Sequence, residues 1–437
     1  MKNVFNFLLL YISLNISYSQ SIDSLKTKDY NDKIEILKQK VDSLSLLNYK
    51  LTLKTDTLNF QLSYLDQQIN LKGNRLTDSV FSKNLNEKRL IKIQLPRSYD
   101  KKSKKKYPLM IVLDGDYMFD IVAGSVDYLS YWGDIPENIV VGINQKDTRY
   151  KDTSVFDNIT HTPITSTASF YDFIANDIIP YFSKNYKISN FKVIVGQERT
   201  ANFVNFFLLK ENPIFRGVIS ISPKISENMN RYLSENLSKV NSKIVYTLSS
   251  SKKDFESIFK NVVKLEASLD SIDNKNLKFK SLIFDKENHY ILPSVSVPNS
   301  IRSTYSMYSD IDKTEYDSII SKLETSPIDY IKNKYQLIKD FYDEDKSISM
   351  NDFRAIEDYI EENEFYDLYD ELSKLAKEEY PKTILASYYK GRFYESTGDL
   401  KKAMHIYQSA YNMNEVQGLT KEYLLELAER IKQDLNY

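Results

Sequence analysis

The chain has 437 residues, with 59 Lys and Arg against 60 Asp and Glu, and it contains no cysteine. The nearly balanced charge gives no support to a nucleic-acid-binding surface. The lack of cysteine excludes a disulfide framework, a thiolate metal site and a cysteine nucleophile. Because one hydrophobic core rarely serves more than about 250–300 residues, we expect more than one structural unit.

The N-terminus has the pattern of a secretory signal peptide. Lys2 supplies the charged start, residues 5–16 are mainly apolar, and the small residues Ser17 and Ser19 precede a cleavage point before Gln20. The apolar run is short for a membrane span. We therefore predict a signal peptide at residues 1–19 and a periplasmic protein with no integral membrane span in its mature chain. An uncleaved membrane anchor is the alternative.

A heptad pattern follows the signal peptide and predicts a coiled coil within residues 30–72. Its apolar positions, spaced by three and four, are Ile34, Leu37, Val41, Leu44, Leu51, Leu58, Leu62, Leu65 and Ile69. Asn48 and Thr55 occupy polar a positions, and a buried asparagine there fixes register and favours a parallel dimer. We expect self-association through this segment. A helix that folds back on its own globular domain is the alternative.

Residues 78–300 have the alternation of strands and helices that is typical of an α/β domain. Residues 89–95 alternate polar and apolar, as in a half-buried strand, whereas residues 109–113 and 139–143 are continuous apolar runs. Further strand-like runs begin at Val193, Val218, Ile244 and Phe279, with helical patterns between several of them. This order predicts a three-layer α/β domain with a largely parallel sheet.

The remainder, residues 311–437, is predicted to be a helical tail. Small and aromatic residues in it have the spacing of one tetratricopeptide unit: Gly391, Tyr394, Gly398, Ala403, Tyr407 and Ala410. The aromatic side chains indicate core packing between helices. A groove left open between those helices would be a candidate site for a protein partner.

Residues 192–201 predict the strand, tight turn and helix start in which α/β-hydrolases hold a nucleophile within G-x-S-x-G. The segments at residues 107–116, 139–143, 178–181 and 219–223 occur in a matching order. On these motifs, roughly residues 84–300 resemble the putative-esterase family, which includes esterase D and enterochelin-esterase-like proteins. The resemblance implies an α/β-hydrolase three-layer sandwich. The tail resembles the helical extension of some exported members.

The nucleophile position departs from the family pattern. Glu198 stands where the family has its serine, and Gln197 and Thr200 replace flanking residues of the motif. Without a hydroxyl, no acyl-enzyme can form by the serine route. We also expect the β-branched Thr200 to alter the turn.

The other catalytic positions follow from the resemblance. His289 matches the general base, and the triad acid would be Asp254 or Glu256, both after the strand at residues 244–248. A histidine without its nucleophile is a relic, a ligand contact or a structural residue. The remaining histidines are His161 and His405.

The resemblance also implies an oxyanion hole. Its donors would be the backbone N–H of Arg199 and one N–H from the loop at Gly115, Asp116 and Tyr117. We expect the Glu198 carboxylate to fill this hole, or to pair with His289.

Taken together, these features predict a catalytically inactive esterase-like protein that serves as a scaffold or binds other envelope proteins. No catalytic residue, cofactor or metal is expected, and Glu198, His289 and Asp254 would be vestigial. The alternative is an active α/β-hydrolase that acts on an ester-like small substrate, with Glu198 as a carboxylate nucleophile assisted by His289. A displaced serine has less support, because Ser220 and Ser222 lie on the next predicted strand.

Overall fold

The computed structural model describes residues 33–52, 54–55, 58 and 74–435. The chain divides into two compact units, residues 1–73 and 74–437, and each is described by itself. The predicted signal peptide, and most of the predicted coiled coil beyond residue 52, lie outside the described residues.

In the first unit, residues 33–52 form one helix, α1. Its predicted d positions Leu37, Leu44 and Leu51 are each more than half exposed, and the a positions Ile34 and Val41 are partly exposed. The apolar seam therefore faces solvent in the single chain. Coiled-coil formation stays a prediction.

An eight-stranded sheet is the centre of the second unit. Its strands are β1 (Arg75–Ser82), β2 (Glu87–Gln94), β3 (Tyr107–Val112), β4 (Ile139–Ile143), β5 (Ile188–Gln197), β6 (Gly217–Ile221), β7 (Ile244–Lys253) and β8 (Leu277–Asn288). They lie in the order β1-β2-β4-β3-β5-β6-β7-β8. The pairs β1/β2 and β2/β4 are antiparallel, and all later pairs are parallel. The prediction of a largely parallel sheet is confirmed.

Helices cover both faces of the sheet, as the continuous apolar strands require. Along β3, Met110 and Val112 belong to one buried cluster and Leu109 and Ile111 to the other. The helices of this part are α2 (Phe119–Tyr131), α3 (Arg149–Thr153), α4 (Thr165–Asp172), α5 (Ile179–Asn185), α6 (Arg199–Val204), α7 (Met229–Leu237), α8 (Glu256–Asp270) and α9 (Leu292–Thr304), with a π-helical segment at Phe173–Ile178. This is the three-layer α/β-hydrolase arrangement.

The C-terminal part is helical, as predicted. Its helices are α10 (Lys313–Ser318), α11 (Pro327–Tyr342), α12 (Met350–Asn363), α13 (Leu368–Glu379), α14 (Leu385–Ser396), α15 (Leu400–Ser409) and α16 (Lys421–Asp434). Helices α11 to α16 share one buried cluster with the face of the sheet that α2 and α9 cover. Gly391 on α14 faces the ring of Tyr407 on α15, and a Cβ on Gly391 would lie 2.0 Å from Cε1 of that ring. The small residue is thus required where these two helices meet.

Two features of the N-terminal strands were not predicted. Strand β1 has only Val80 and Ser82 buried, so it lacks the alternating pattern of a half-buried strand. In β2, Arg89 lies on the buried side with Ile91 and Ile93, while Leu90 is exposed, so burial does not follow the polar and apolar residues one for one. The Arg89 charge is accommodated by a buried carboxylate, described below.

Among the described residues, no helix combines the length and apolar character needed to cross a membrane.

Candidate functional site

The parallel strands end along one edge of the sheet, and the loops there contain the predicted site residues. Glu198 follows β5, Asp254 follows β7 and His289 follows β8. The loop after β3 contains Gly115 and Asp116. In open α/β sheets this carboxyl edge is where ligands and catalytic groups are found.

Glu198 occupies a sharp turn between β5 and α6. Its backbone has φ 56° and ψ −104°, a sparsely populated conformation that costs a non-glycine residue about 1–3 kcal/mol. Gly196 permits the close approach of the helix, since a Cβ there would lie 2.5 Å from the Thr200 carbonyl oxygen. The turn therefore has the strained geometry of a nucleophile elbow.

Thr200, which we expected to alter this turn, takes part in the hydrogen bonds that hold it. The buried Thr200 hydroxyl accepts a hydrogen bond from the Gln197 N–H at 2.8 Å and donates one to Asp114 Oδ2 at 2.8 Å. These two bonds connect the start of α6 to the end of β5 and to the loop after β3. Thr200 thus stabilises the turn through its hydroxyl.

Arg149 is the partner of the Glu198 carboxylate. Arg149 Nη1 donates to Glu198 Oε2 at 2.9 Å, and its Nη2 donates to the Gln197 carbonyl at 3.0 Å. The expected pairing of Glu198 with His289, or with the oxyanion-hole amides, is not found among the hydrogen bonds of the described residues. The reason is that a guanidinium supplies several donors in a rigid fork, which the elbow amides cannot match.

Asp114 holds Arg149 from the other side. Arg149 Nε donates to Asp114 Oδ1 at 2.7 Å and Nη2 lies 3.1 Å from Oδ2. The Asp114 side chain is 1% exposed. Burial raises the pKa of Asp114, and hydrogen bonds from Arg149 and Thr200 oppose that rise. The Tyr117 hydroxyl, 3.0 Å from Asp114 Oδ2 and 2.8 Å from Gln197 Oε1, completes this cluster.

A second buried ion pair positions the helix that begins with Arg149. Arg89 on β2 donates from Nη2 and Nη1 to the two oxygens of Asp152 at 2.6 and 2.8 Å. Asp152 lies on α3, three residues after Arg149, and its side chain is fully buried. Arg149 is therefore oriented by its own contacts and by a helix tied to the sheet.

His289 and Asp254 form an acid–base pair. His289 Nδ1 lies 2.7 Å from Asp254 Oδ1, so the ring donates from Nδ1 and its Nε2 is the basic nitrogen of the neutral form. Burial alone would raise the pKa of Asp254, but hydrogen bonds from His289 and Ser222 outweigh it and lower that pKa. His289 is 6% exposed, with its ring centroid 4.7 Å from that of Phe255.

The other candidate acid and bases lie elsewhere. The Glu256 side chain is 82% exposed and pairs with Lys260 at 2.6 Å. His161 lies 3.4 Å from Glu227, and His405 is an exposed residue of α15. Of the two carboxylates considered for the acid, it is Asp254 that contacts His289.

The serines of the next strand do not replace the nucleophile. The buried Ser222 hydroxyl donates to Asp254 Oδ2 and lies 3.2 Å from His289 Nδ1, on the side of the ring away from Nε2. Ser220 donates to the Ala201 carbonyl at 3.2 Å. Both hydroxyls are engaged in structural contacts.

The backbone donors expected for an oxyanion hole can be narrowed to two. In the loop after β3, the Gly115 N–H donates to the Ile143 carbonyl and the Tyr117 N–H to the Asp114 carbonyl. The Asp116 N–H and the Arg199 N–H have no hydrogen-bond partner within the part of the chain that the structure describes. These two amides are the ones available to an oxyanion.

The site thus keeps a histidine–carboxylate pair, two free amides and the elbow, with a carboxylate in the nucleophile position. In the described part of the chain, no group of three or more His, Asp or Glu side chains could hold a metal ion. Sequence reasoning missed Arg149, which lies in the loop region after β4. Its position close to the carboxyl end of a parallel strand was the signal that could have identified it.

Comparisons with known proteins agree with this geometry. Residues 82–272 match the family model described as "Putative esterase". The crystal structure of an uncharacterised protein from Capnocytophaga ochracea DSM 7271 is similar with a TM-score of 0.71 and 23% identity, covering 82% of this chain and 99% of that chain. The structure of an IroE-like serine hydrolase from Shewanella oneidensis is similar with a TM-score of 0.52 and 18% identity, covering 70% of this chain and 99% of that chain.

Both structural similarities are below 25% identity and show the fold alone. Comparison with curated proteins gives no match. The family model and the fold agree on the same part of the chain. Residues 82–272 therefore resemble the putative-esterase family, and the protein is hydrolase-like with an α/β-hydrolase fold.

Proposed function

We propose that this protein is a catalytically inactive esterase-like protein that acts as an exported scaffold or protein-binding subunit in the cell envelope. The single observation that carries the proposal is the 2.9 Å hydrogen bond between Arg149 and the Glu198 carboxylate. It lies at the position where the family has its nucleophile.

A carboxylate in this position cannot form an acyl-enzyme by the serine route, because no hydroxyl is present to be activated. Arg149 further reduces the availability of the Glu198 oxygens, since a guanidinium pair stabilises the carboxylate and lowers its reactivity. Arg149 is in turn fixed by the buried Asp114. The pair is therefore a structural replacement for the nucleophile.

An ester-hydrolysis screen of the purified protein tests this proposal. The panel covers several acyl-chain lengths and an epoxide, and His289→Ala is the control. We expect wild-type rates equal to those of the control. Turnover that disappears in His289→Ala would overturn the proposal.

The second candidate is an active hydrolase with Glu198 as a carboxylate nucleophile, and the His289–Asp254 pair favours it. In such a reaction a Glu198 oxygen would attack the substrate carbon and expel the leaving group, forming an ester. Water would then attack the ester carbonyl while His289 Nε2 takes the water proton. Arg149 would have to release the carboxylate first.

Trapping the intermediate tests this second candidate. If Glu198 is a nucleophile, water cannot be activated in His289→Ala because the base is missing. An ester on Glu198 would then accumulate with an epoxide or a haloalkane. Intact-protein mass spectrometry would show the added mass, and Glu198→Gln is the matched control. An adduct in His289→Ala that is absent in Glu198→Gln would support this second candidate. Because we propose an inactive protein, we expect no added mass in either variant.

Self-association through α1 is part of the proposal. The exposed d positions Leu37, Leu44 and Leu51 would be buried in a coiled coil. We expect an oligomer by light scattering that Leu44→Asp dissociates. Leu46→Asp, also on an exposed leucine of α1 but outside the seam, is the control. A monomeric wild-type protein would contradict this part.

Export is proposed from the signal-peptide pattern of residues 1–19. Mass spectrometry of the protein from the periplasmic fraction should give an N-terminus at Gln20. A protein retained in the cytoplasm with its N-terminal segment intact would contradict export.

A further inference from the structure

A cavity of about 520 Å³ lies at the end of β5 opposite to the elbow. It is formed by the loop between β2 and β3, the C-terminal end of α5 and the first residues of β5. The lining residue of β5 that is nearest to Glu198 in the sequence is Lys192, six residues before it. At about 3.3 Å per residue this puts about 20 Å between the cavity and Glu198. The cavity is therefore separate from the site described above.

The lining of this cavity is strongly basic. Its five lysines are Lys101, Lys106, Lys184, Lys187 and Lys192, and no Asp or Glu is among the lining residues. None of the five ammonium groups forms an ion pair with a carboxylate of the described residues. Unpaired like charges around one concavity repel each other, and a bound anion would relieve that repulsion.

Lys192 lies deeper than the other four lysines. It is partly buried, and its Nζ donates only to the Asn190 carbonyl at 3.2 Å. Burial and the neighbouring Arg216 charge lower the pKa of Lys192, and the Asp343 charge opposes this shift. The Asp343 carboxylate itself accepts a hydrogen bond from the Asn190 N–H.

A buried hydroxyl in the same wall has no partner. Ser189 is 4% exposed, and its Oγ forms no hydrogen bond within the part of the chain that the structure describes. Because this oxygen has almost no solvent-accessible surface, the Ser189 side chain closes the wall, and the inference depends on the lysines of the lining.

We infer that this cavity binds a small polyanion that carries two or more phosphate or carboxylate groups. Lysine is a point-charge donor that suits either group. The volume exceeds what one inorganic ion requires, and five separate ammonium groups match a ligand with several charges. This binding activity does not involve the residues of the elbow. Its test therefore gives a result that does not depend on the proposed function.

Isothermal titration calorimetry of the purified full chain at low ionic strength tests the inference. Pyrophosphate and citrate are the two probes, and they separate phosphate from carboxylate recognition. We expect saturable binding of at least one probe at micromolar to millimolar concentration. Lys184→Gln combined with Lys187→Gln should weaken it about tenfold or more.

The control variant combines Lys264→Gln with Lys275→Gln, two exposed lysines of another surface region. It makes the same change in net charge and should bind the probes as the wild type does. Lys192→Gln provides a second test at the deeper position. Saturable binding of neither probe, or equal loss in the cavity and control variants, would overturn the inference.

Discussion

Arg149 Nη1 donates a hydrogen bond of 2.9 Å to Oε2 of Glu198, in the turn where the esterase family has its nucleophile. The same guanidinium contacts the buried Asp114 through Nε and Nη2. One side chain thus compensates two carboxylates at the carboxyl edge of the sheet. At this turn the chain has an ion-paired carboxylate and no hydroxyl.

Replacing Arg149 should destabilise the protein. Arg149→Leu leaves Asp114 buried without its cation, and removing one partner of a buried pair costs about 3 kcal/mol. We expect urea unfolding at neutral pH to show this loss. Arg149→Lys keeps the positive charge but loses the planar set of N–H donors of the guanidinium. It should therefore lower the free energy of unfolding less than Arg149→Leu does.

The deficit of Arg149→Leu should shrink as the pH falls. Burial already raises the pKa of Asp114, and loss of Arg149 would raise it further. Between the unfolded pKa of about 3.9 and this raised value the folded state binds more protons, so acidification favours folding. A deficit that grows on acidification would contradict this assignment.

Asp254→Asn should lower stability at neutral pH by about 1–2 kcal/mol, because a charged acceptor of the His289 hydrogen bond is lost. The lowered pKa of Asp254 contributes stability above the unfolded pKa of about 3.9, and this contribution disappears as the pH falls through the folded pKa. The free energies of unfolding of the wild type and of Asp254→Asn should therefore become equal in acid. Glu256→Gln, at the exposed start of α8, is the control and should change stability little.

Glu344→Gln should stabilise the protein at alkaline pH. Burial raises the pKa of Glu344 to about 7, and the nearby Asp343 adds to this while Lys105 opposes it. The folded state then binds the proton between the unfolded pKa of about 4.3 and about 7, so stability falls as the pH rises through this window.

Glutamine avoids the cost of ionising the buried carboxyl. We expect a gain of about 1–2 kcal/mol at alkaline pH and little difference in mild acid, measured by thermal unfolding across the pH range. The exposed Glu324→Gln makes the same charge change as a control. Equal gains in the two variants would show that net charge, and not Glu344, is responsible.

Gly391→Ala should destabilise the helical tail. A Cβ would lie 2.0 Å from Cε1 of the buried Tyr407 ring, and overpacking of this kind costs about 1–3 kcal/mol. Gly124→Ala on α2 is a matched control, because nothing lies within 4 Å of the position that the new methyl group would take and alanine favours the helix by about 0.5–1 kcal/mol. Circular dichroism melting should give opposite shifts, and a Gly391→Ala protein as stable as Gly124→Ala would contradict the packing.

The buried strands were predictable where the sequence has continuous apolar runs, as at residues 109–113 and 139–143, because a sheet covered on both faces needs them. Strand β1 was not predictable in this way, since five of its residues in a row, from Arg75, are exposed. The burial of Arg89 could not be read from the sequence, because its partner Asp152 is 63 residues away.

At the site, the chain order of the family motifs placed Glu198, Asp254 and His289 on the correct loops. The choice between Asp254 and Glu256 needed the structure, because both follow β7 and only Asp254 reaches His289. Arg149 was missed because its contacts join loops after β3, β4 and β5, which become neighbours only through the sheet order. Local sequence pattern has no information on such contacts.

The most direct test of the central claim is the rate of short-chain ester hydrolysis by the wild type, Glu198→Ser and Glu198→Ser with His289→Ala, measured side by side. If the His289–Asp254 pair and the elbow persist and the nucleophile is what the site lacks, Glu198→Ser alone should hydrolyse the ester. The added His289→Ala should abolish that rate. Hydrolysis by the wild type, or none by a folded Glu198→Ser protein, would contradict the claim.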